Sequence, residues 1–246
     1  ANEYFLAGKS QNWFVVGTSL FAASVSSSTL MGHSGEGFIS GVAVFNYNVG
    51  AIFVIVFVSL FFLPFYIKSG IYTIPEYLGR RFDNRSRKYF SFITIIGNVF
   101  LDAGAALYTG ALILKIIFPE VDMMWVIIGM ALMAGTYTII GGLSSAINAD
   151  MIQSVILIVG SILLSVFCFE SVGGWDNFVE RFHDGVWLNL IRSNSDTTVP
   201  WFSIFLSIPI LGFYFWGNNQ VMVQRVMSAK TVNEGRLGFL FVAFLY

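Results

Sequence analysis

Charge is scarce in this 246-residue chain: 11% of its residues are Asp, Glu, Lys or Arg, against roughly 25% in ordinary soluble domains. Thirteen basic residues nearly balance 14 acidic ones, for a formal net charge of -1, which excludes the basic face of a nucleic-acid binder. The single cysteine, Cys168, lies inside an apolar run, so neither a disulfide framework nor a cysteine-based metal site is available. Proline is also rare, at five residues. What fills the space is apolar: 56% hydrophobic residues, 26 Phe and 24 Gly, with a mean hydropathy of +0.75. That balance excludes a disordered chain and describes an all-α integral membrane protein.

Helices rather than barrel strands follow from run length, because uncharged stretches of 18 residues or more suffice to cross about 30 Å at 1.5 Å per residue. Six spans are expected, within residues 10–35, 38–67, 89–118, 123–140, 151–169 and 201–223. The start of a seventh is expected near Gly238, and the sequence stops inside that apolar run at Tyr246. With Ala1 in place of Met and no signal-peptide pattern, the chain is expected to be a fragment at both ends. Charge placement orients the bundle. Lys9, Lys68, Arg80, Arg81, Arg85, Arg87, Lys88, Arg225, Lys230 and Arg236 fall on one side if the spans alternate. Only Lys115, Arg181 and Arg192 fall on the other. The basic side is cytoplasmic by the positive-inside rule, which puts the Arg/Lys-rich loop 68–88 inside the cell. Plain topology accounts for that loop; lipid-headgroup binding is the minority alternative.

Two spans are poor helices. The first carries Ser19, Ser24, Ser26, Ser27, Ser28 and Thr29, then Gly32, Gly35, Gly37 and Gly41. The sixth carries Pro209 and Gly212, then the polar run Trp216-Gly217-Asn218-Asn219-Gln220. Backbone groups unpaired at bilayer depth cost several kcal/mol each, so irregular helix persists there only within protein or beside a water-filled cavity. Interrupted helices at corresponding places in two halves of opposite topology mark inverted-repeat secondary transporters. The competing reading is two ordinary helices with small-residue packing faces.

Charge inside the membrane is expensive. Asp102 stands in the middle of the third span with Asn98 one turn earlier; it is expected to face a cavity or a partner, in a functional or a structural role. Asp150 opens the fifth span after Gly141-Gly142-Leu143-Ser144-Ser145. It reads as a helix N-cap or as an acid at a cytoplasmic mouth on an ion path. Lys115 snorkels near the outer end of span three. His33 and His183 have no partners at metal-ligand spacing, and His33 reads as structural. No nucleophile elbow, Ser/His/Asp arrangement or phosphate-cradling loop is present, so neither an enzyme nor ATP-driven transport is expected.

Ordered strings along the whole chain resemble the sodium:solute symporters. They run from Glu3-Tyr4-Phe5-Leu6-Ala7-Gly8-Lys9 through Ser19-Leu20-Phe21-Ala22-Ala23 and Gly70-Ile71-Tyr72-Thr73-Ile74-Pro75-Glu76-Tyr77-Leu78. Arg81-Phe82, Gly141-Gly142-Leu143, Asp150-Met151-Ile152-Gln153 and Val223-Gln224-Arg225 follow in order. The string Tyr214-Phe215-Trp216-Gly217-Asn218-Asn219-Gln220, then Ser228-Ala229-Lys230, is most similar to the sodium/glucose branch.

The resemblance implies a leucine-transporter-type inverted-repeat helical bundle, here truncated, working by alternating access. The first five-helix repeat falls at about residues 10–170, an extracellular loop at about 170–200, and the start of the second repeat at about 201–246. It implies Na+ as coupling ion, with backbone carbonyls of Ala22 and Val25 at the main sodium site and Asp150 at a second. Solute contacts carry over to Thr29, Asn48, Gly212 and Phe215 beside Trp216, with Asn219 from the polar run and Asp102 as a core polar group. Asn48 replaces an acid, and Phe215 replaces a gate tyrosine, so loss of hydrogen bonds to sugar hydroxyls is expected. The function expected is sodium-coupled import of a small polar organic solute, a sugar or related polyol, across the plasma membrane (the inner membrane of a bacterial cell). Alternatives are a sialic acid, monocarboxylate or amino acid symporter, a passive channel, or a solute sensor. Partners implied are the solute, sodium and the lipid bilayer; the sequence does not specify an oligomeric state.

Overall fold

A computed structural model describes residues 2–181 and 187–246; His183 lies outside them. The described residues form helices in the order α1 (Asn2–Leu6), α2 (Trp13–Ser24), α3 (Ser27–Ser40), α4 (Asn46–Phe61), α5 (Leu63–Ser69), α6 (Ile74–Arg81) and α7 (Asn84–Ile96). They continue with α8 (Gly104–Ile117), α9 (Met123–Val172), α10 (Trp175–Arg181), α11 (Trp201–Phe205), α12 (Ser207–Phe213), α13 (Gln220–Met227) and α14 (Val232–Leu245). Among the described residues no strand forms, which matches the all-α expectation. Among the described residues four stretches are long and apolar enough to cross a membrane: Ser27–Phe61, Asn84–Ile117, Met123–Val172 and Trp201–Asn218. This is a multi-pass membrane protein.

Local sequence sets the helix starts. Asn12, Ser26, Thr73, Asp83, Asp122, Asn219 and Thr231 each accept a hydrogen bond from a backbone N–H in the first turn that follows, relieving donors that have no partner inside the helix. The last of these starts α14 at Val232, six residues ahead of the expected Gly238.

The expected fourth and fifth spans are one helical stretch with a sharp break at Gly142, where φ is 59° and ψ is -148°. Glycine alone enters that region without penalty. A Cβ there would also stand 2.6 Å from the Tyr4 carbonyl oxygen, because α1 packs against the break. The expected loop before Asp150 is therefore absent. Asp150 lies inside α9, and its reading as an N-cap fails because helix already precedes it.

The core is built where α2, α4, α13 and α14 meet. Val16 and Leu20 of α2, Val54, Ile55 and Val58 of α4, Met222 and Val226 of α13, and Phe239 and Val242 of α14 pack around Trp216. The α2–α14 crossing is close because it is lined by glycine. A Cβ at Gly17 would lie 3.0 Å from the Gly238 carbonyl oxygen, and one at Gly238 would lie 2.8 Å from the Val16 side chain. Close approach of small residues is the general packing device inside lipid, where apolar burial gives helices no preference for one another.

Candidate solute and ion site

Both poor helices are broken. α2 ends at Val25, whose backbone is extended at φ -105° and ψ 90°, before α3 begins. In the sixth span α12 passes into a π-helical turn, Tyr214–Asn218, and Asn219 is extended at φ -65° and ψ 123° before α13. π-turns recur at functional sites because they redirect side chains and leave carbonyls free. One freed carbonyl, that of Gly217, accepts a hydrogen bond from the Tyr66 hydroxyl at 3.1 Å. Gln220 ties the same break to the loop before α6, accepting from the Ile74 N–H at 3.1 Å and donating to the Tyr72 carbonyl at 3.4 Å.

Between the breaks lies a cavity of about 270 Å³. Ser24, Thr29 and His33 line it from the first broken helix, and Tyr47, Asn48 and Ala51 from α4. Ile208, Leu211, Gly212, Phe215 and Trp216 close it from the sixth span, with Tyr246 at the far wall. Five of the expected solute contacts, Thr29, Asn48, Gly212, Phe215 and Trp216, thus share one cavity. Trp216 is 1% exposed and meets Phe215 and Tyr246 edge-on at centroid distances of 5.3 and 5.5 Å. The Thr29 hydroxyl lies 3.0 Å from the Ser26 hydroxyl across the start of α3. Among the described residues the lining carries hydroxyls, an amide, an imidazole and aromatic rings, but no carboxylate, ammonium or guanidinium. His33 and Asn48 also line a larger, mostly apolar cavity of about 820 Å³ next to it.

Two expected contacts are placed elsewhere. Asn219 does not line the cavity; its side chain accepts from the Val221 N–H at 2.9 Å. Asparagine competes well for such caps, and that use explains a polar residue in an apolar span. Asp102 sits in a π-helical segment, Gly97–Ala103, ahead of α8, exposed and outside the cavity lining.

The expected sodium ligands fall on and beside the first break. The Ala22 carbonyl accepts a long bond of 3.3 Å from the Val25 N–H. Among the described residues the Val25 carbonyl accepts no backbone hydrogen bond. Asp150 is 8% exposed and is not alone. Arg225 Nε donates to its Oδ2 at 2.8 Å, Ser19 donates to the same oxygen, and Arg225 Nε also reaches the Ser19 hydroxyl oxygen at 3.1 Å. Ser19 lies three residues before Ala22 on α2, a rise of about 4.5 Å. Sequence reading assigned Arg225 to the cytoplasmic charge set and missed this pairing. The only available signal was that Arg225 ends an ordered string, Val223-Gln224-Arg225.

The model of the sodium:solute symporter family matches residues 4–245. The chain is 34% identical over 252 residues to a sodium/glucose cotransporter of Vibrio parahaemolyticus, covering 99% of this chain and 46% of that protein. It is 30% identical over 264 residues to sodium/glucose cotransporter 1 of Oryctolagus cuniculus, covering 98% and 40%. It is also 30% identical over 259 residues to sodium/myo-inositol cotransporter 2 of Bos taurus, covering 98% and 38%. The chain therefore spans less than half the length of these relatives. The fold superposes on a Na+-coupled sialic acid symporter solved in a substrate-bound outward-open state, with a TM-score of 0.88, 24% identity, and coverage of all of this chain and 51% of that one. With nearly every residue inside the family match, the chain belongs to the sodium:solute symporter family.

Proposed function

We propose that this chain is the solute-holding part of a sodium-coupled symporter that imports a small, neutral, polyhydroxylated solute by alternating access. The observation that carries the proposal is the meeting of two helix breaks, at Val25 and Asn219, on either side of a cavity lined by Thr29, Asn48, Phe215 and Trp216. Broken helices bring unpaired backbone oxygens and reoriented side chains to the same depth, which suits a dehydrated cation and a polar solute together. A sugar or related polyol suits the lining, since hydroxyl, amide and indole groups recognise neutral hydroxyls and stack on sugar faces. Similarity to sodium/glucose and sodium/myo-inositol cotransporters points the same way.

In this reading Ala22 and Val25 supply carbonyl oxygens to the coupling sodium, whose remaining ligands come from elsewhere in the whole protein. Loop 68–88 faces the cytoplasm of a plasma-membrane protein. Residues 10–170 form one five-helix repeat, and residues from about 201 open the inverted second. Sodium favours one arrangement of the helices and the solute binds that arrangement, so each acts through its differential affinity for the two states. The test is uptake by the full-length protein in proteoliposomes across a panel of labelled sugars, polyols, sialic acid, monocarboxylates and amino acids, under inward sodium or inward potassium gradients. The expected result is sodium-specific uptake of a neutral polyol. Uptake restricted to a carboxylate would reject the solute class, and uptake indifferent to sodium would reject symport.

A further inference from the structure

Asp150, Ser19 and Arg225 lie on three different helices, α9, α2 and α13. The two charged side chains are each 11% accessible. A buried carboxylate without a counter-charge costs several kcal/mol, and in this arrangement Arg225 supplies that charge to Asp150.

The geometry points to Arg225 as a built-in cation that occupies the Asp150 site in this arrangement and exchanges with sodium when α13 moves relative to α2. This inference rests on the symport reading and names an internal competitor for its coupling ion. Arg225 approaches through Nε, while its Nη1 donates to the Val221 carbonyl of its own helix at 3.0 Å. That bond ties the guanidinium to α13 and opposes its following Asp150 if that helix shifts. Ser19 precedes the Val25 break by six residues (25 - 19), and Arg225 follows the Asn219 break by six (225 - 219). The Ser19–Arg225 hydrogen bond thus spans the two broken helices at about 9 Å from each break, beside the ion pair that joins α13 to α9. Movement of one broken helix against the other pulls directly on it.

The group left behind fits a hard cation. The Ser19 hydroxyl already donates its proton to Asp150 Oδ2 and accepts from Arg225 Nε with its lone pair. A sodium ion in place of the guanidinium would find that oxygen and the carboxylate aligned, with no hydrogen bond reversed. Carboxylate and hydroxyl oxygens are the ligands such cations take.

The test is 22Na+ binding to the purified full-length protein. Arg225→Gln should tighten the sodium dissociation constant by at least about five-fold, the lower end of ordinary coupling between linked equilibria. Arg225→Lys keeps the charge but loses the side-on Nε contact, and should fall between the wild type and Arg225→Gln. The double variant Asp150→Asn/Arg225→Gln should lose the gain. A merely structural role predicts weaker sodium binding in Arg225→Gln, and that result, or an unchanged constant, would overturn the inference. Where Arg225→Gln fails to fold by size exclusion, Arg225→Lys decides in the same sense. A wild-type protein that binds no sodium at all would overturn the symport reading together with this inference, whereas sodium binding without solute uptake would count against solute transport alone.

Discussion

Thr29 and Phe215 both line the cavity, one from each broken helix, and each makes a specific prediction. Thr29→Val removes a hydroxyl while keeping the shape. It should raise the solute KM about five-fold, the worth of one hydrogen bond near 1 kcal/mol, measured as sodium-driven uptake. Phe215→Tyr restores a hydroxyl where the resemblance places one in relatives, and should lower KM for polyols by a similar factor. Trp216, almost fully enclosed by Phe215, Tyr246 and Phe239, carries packing as well as contact. Trp216→Ala should cost about 3–5 kcal/mol of stability, visible as a lowered melting temperature in detergent. What could be read from the sequence at this level was uneven, for a physical reason. A polar residue in an apolar span signals that it has a partner, not which partner. Thr29 and Asn48 line the cavity, but Asn219 spends its amide on a helix cap, and Asp102 lies outside the lining. The Asp150–Arg225 pair joins residues 75 positions apart, a contact that only the folded chain creates.

The broken helices were the most legible elements. Clustered serine and glycine in one span, and proline followed by the run Trp216-Gly217-Asn218-Asn219-Gln220 in the other, weaken helix in the place where lipid most demands it. The breaks occur where those clusters lie. The Gly142 break was legible as an interruption, yet its form was not, since two helices joined through one residue leave no loop in the sequence pattern. The α2–α14 crossing also needed the structure, because glycine spacing does not reveal which helix it meets. Gly17→Val should force these helices apart and cost about 1–3 kcal/mol, read as a lower melting temperature.

Helix α6 offers a pH test outside the spans. Glu76 is the hub of its start: it accepts from the Tyr72 N–H at 2.8 Å and from Arg80 at 2.6 Å. Burial works to raise its pKa, but the Tyr72 hydrogen bond, the Arg80 hydrogen bond and charge, and the Arg87 charge outweigh it and hold the carboxyl below its ordinary value of 4.5. A depressed acid stabilises the fold above that ordinary value, and the contribution vanishes as pH falls through the lower folded-state pKa. Amide exchange at residues 71–77 should therefore stay slow from neutral pH down to 4.5 and accelerate only below it. In Glu76→Gln it should be faster at neutral pH. Slow exchange in that variant would show that Glu76 does not hold the turn.

For the whole molecule, composition established the membrane setting and ordered strings established the family, because both are properties of the chain taken end to end. The cavity was not legible in that way, since its walls come from three separate stretches, residues 24–33, 47–51 and 208–216, together with Tyr246. In the proposed reading, its place beside two helix breaks separates a coupled carrier from a passive pore. One sodium ion moving through 100 mV supplies about 2.3 kcal/mol, enough for about fifty-fold accumulation of a neutral solute. The most direct measurement is the steady-state ratio of labelled polyol inside to outside proteoliposomes holding the full-length protein under an inward sodium gradient and an inside-negative potential. The ratio should rise well above one and collapse to one when a sodium ionophore is added. A ratio that stays at one with the gradient intact, although solute crosses, would contradict sodium-coupled transport.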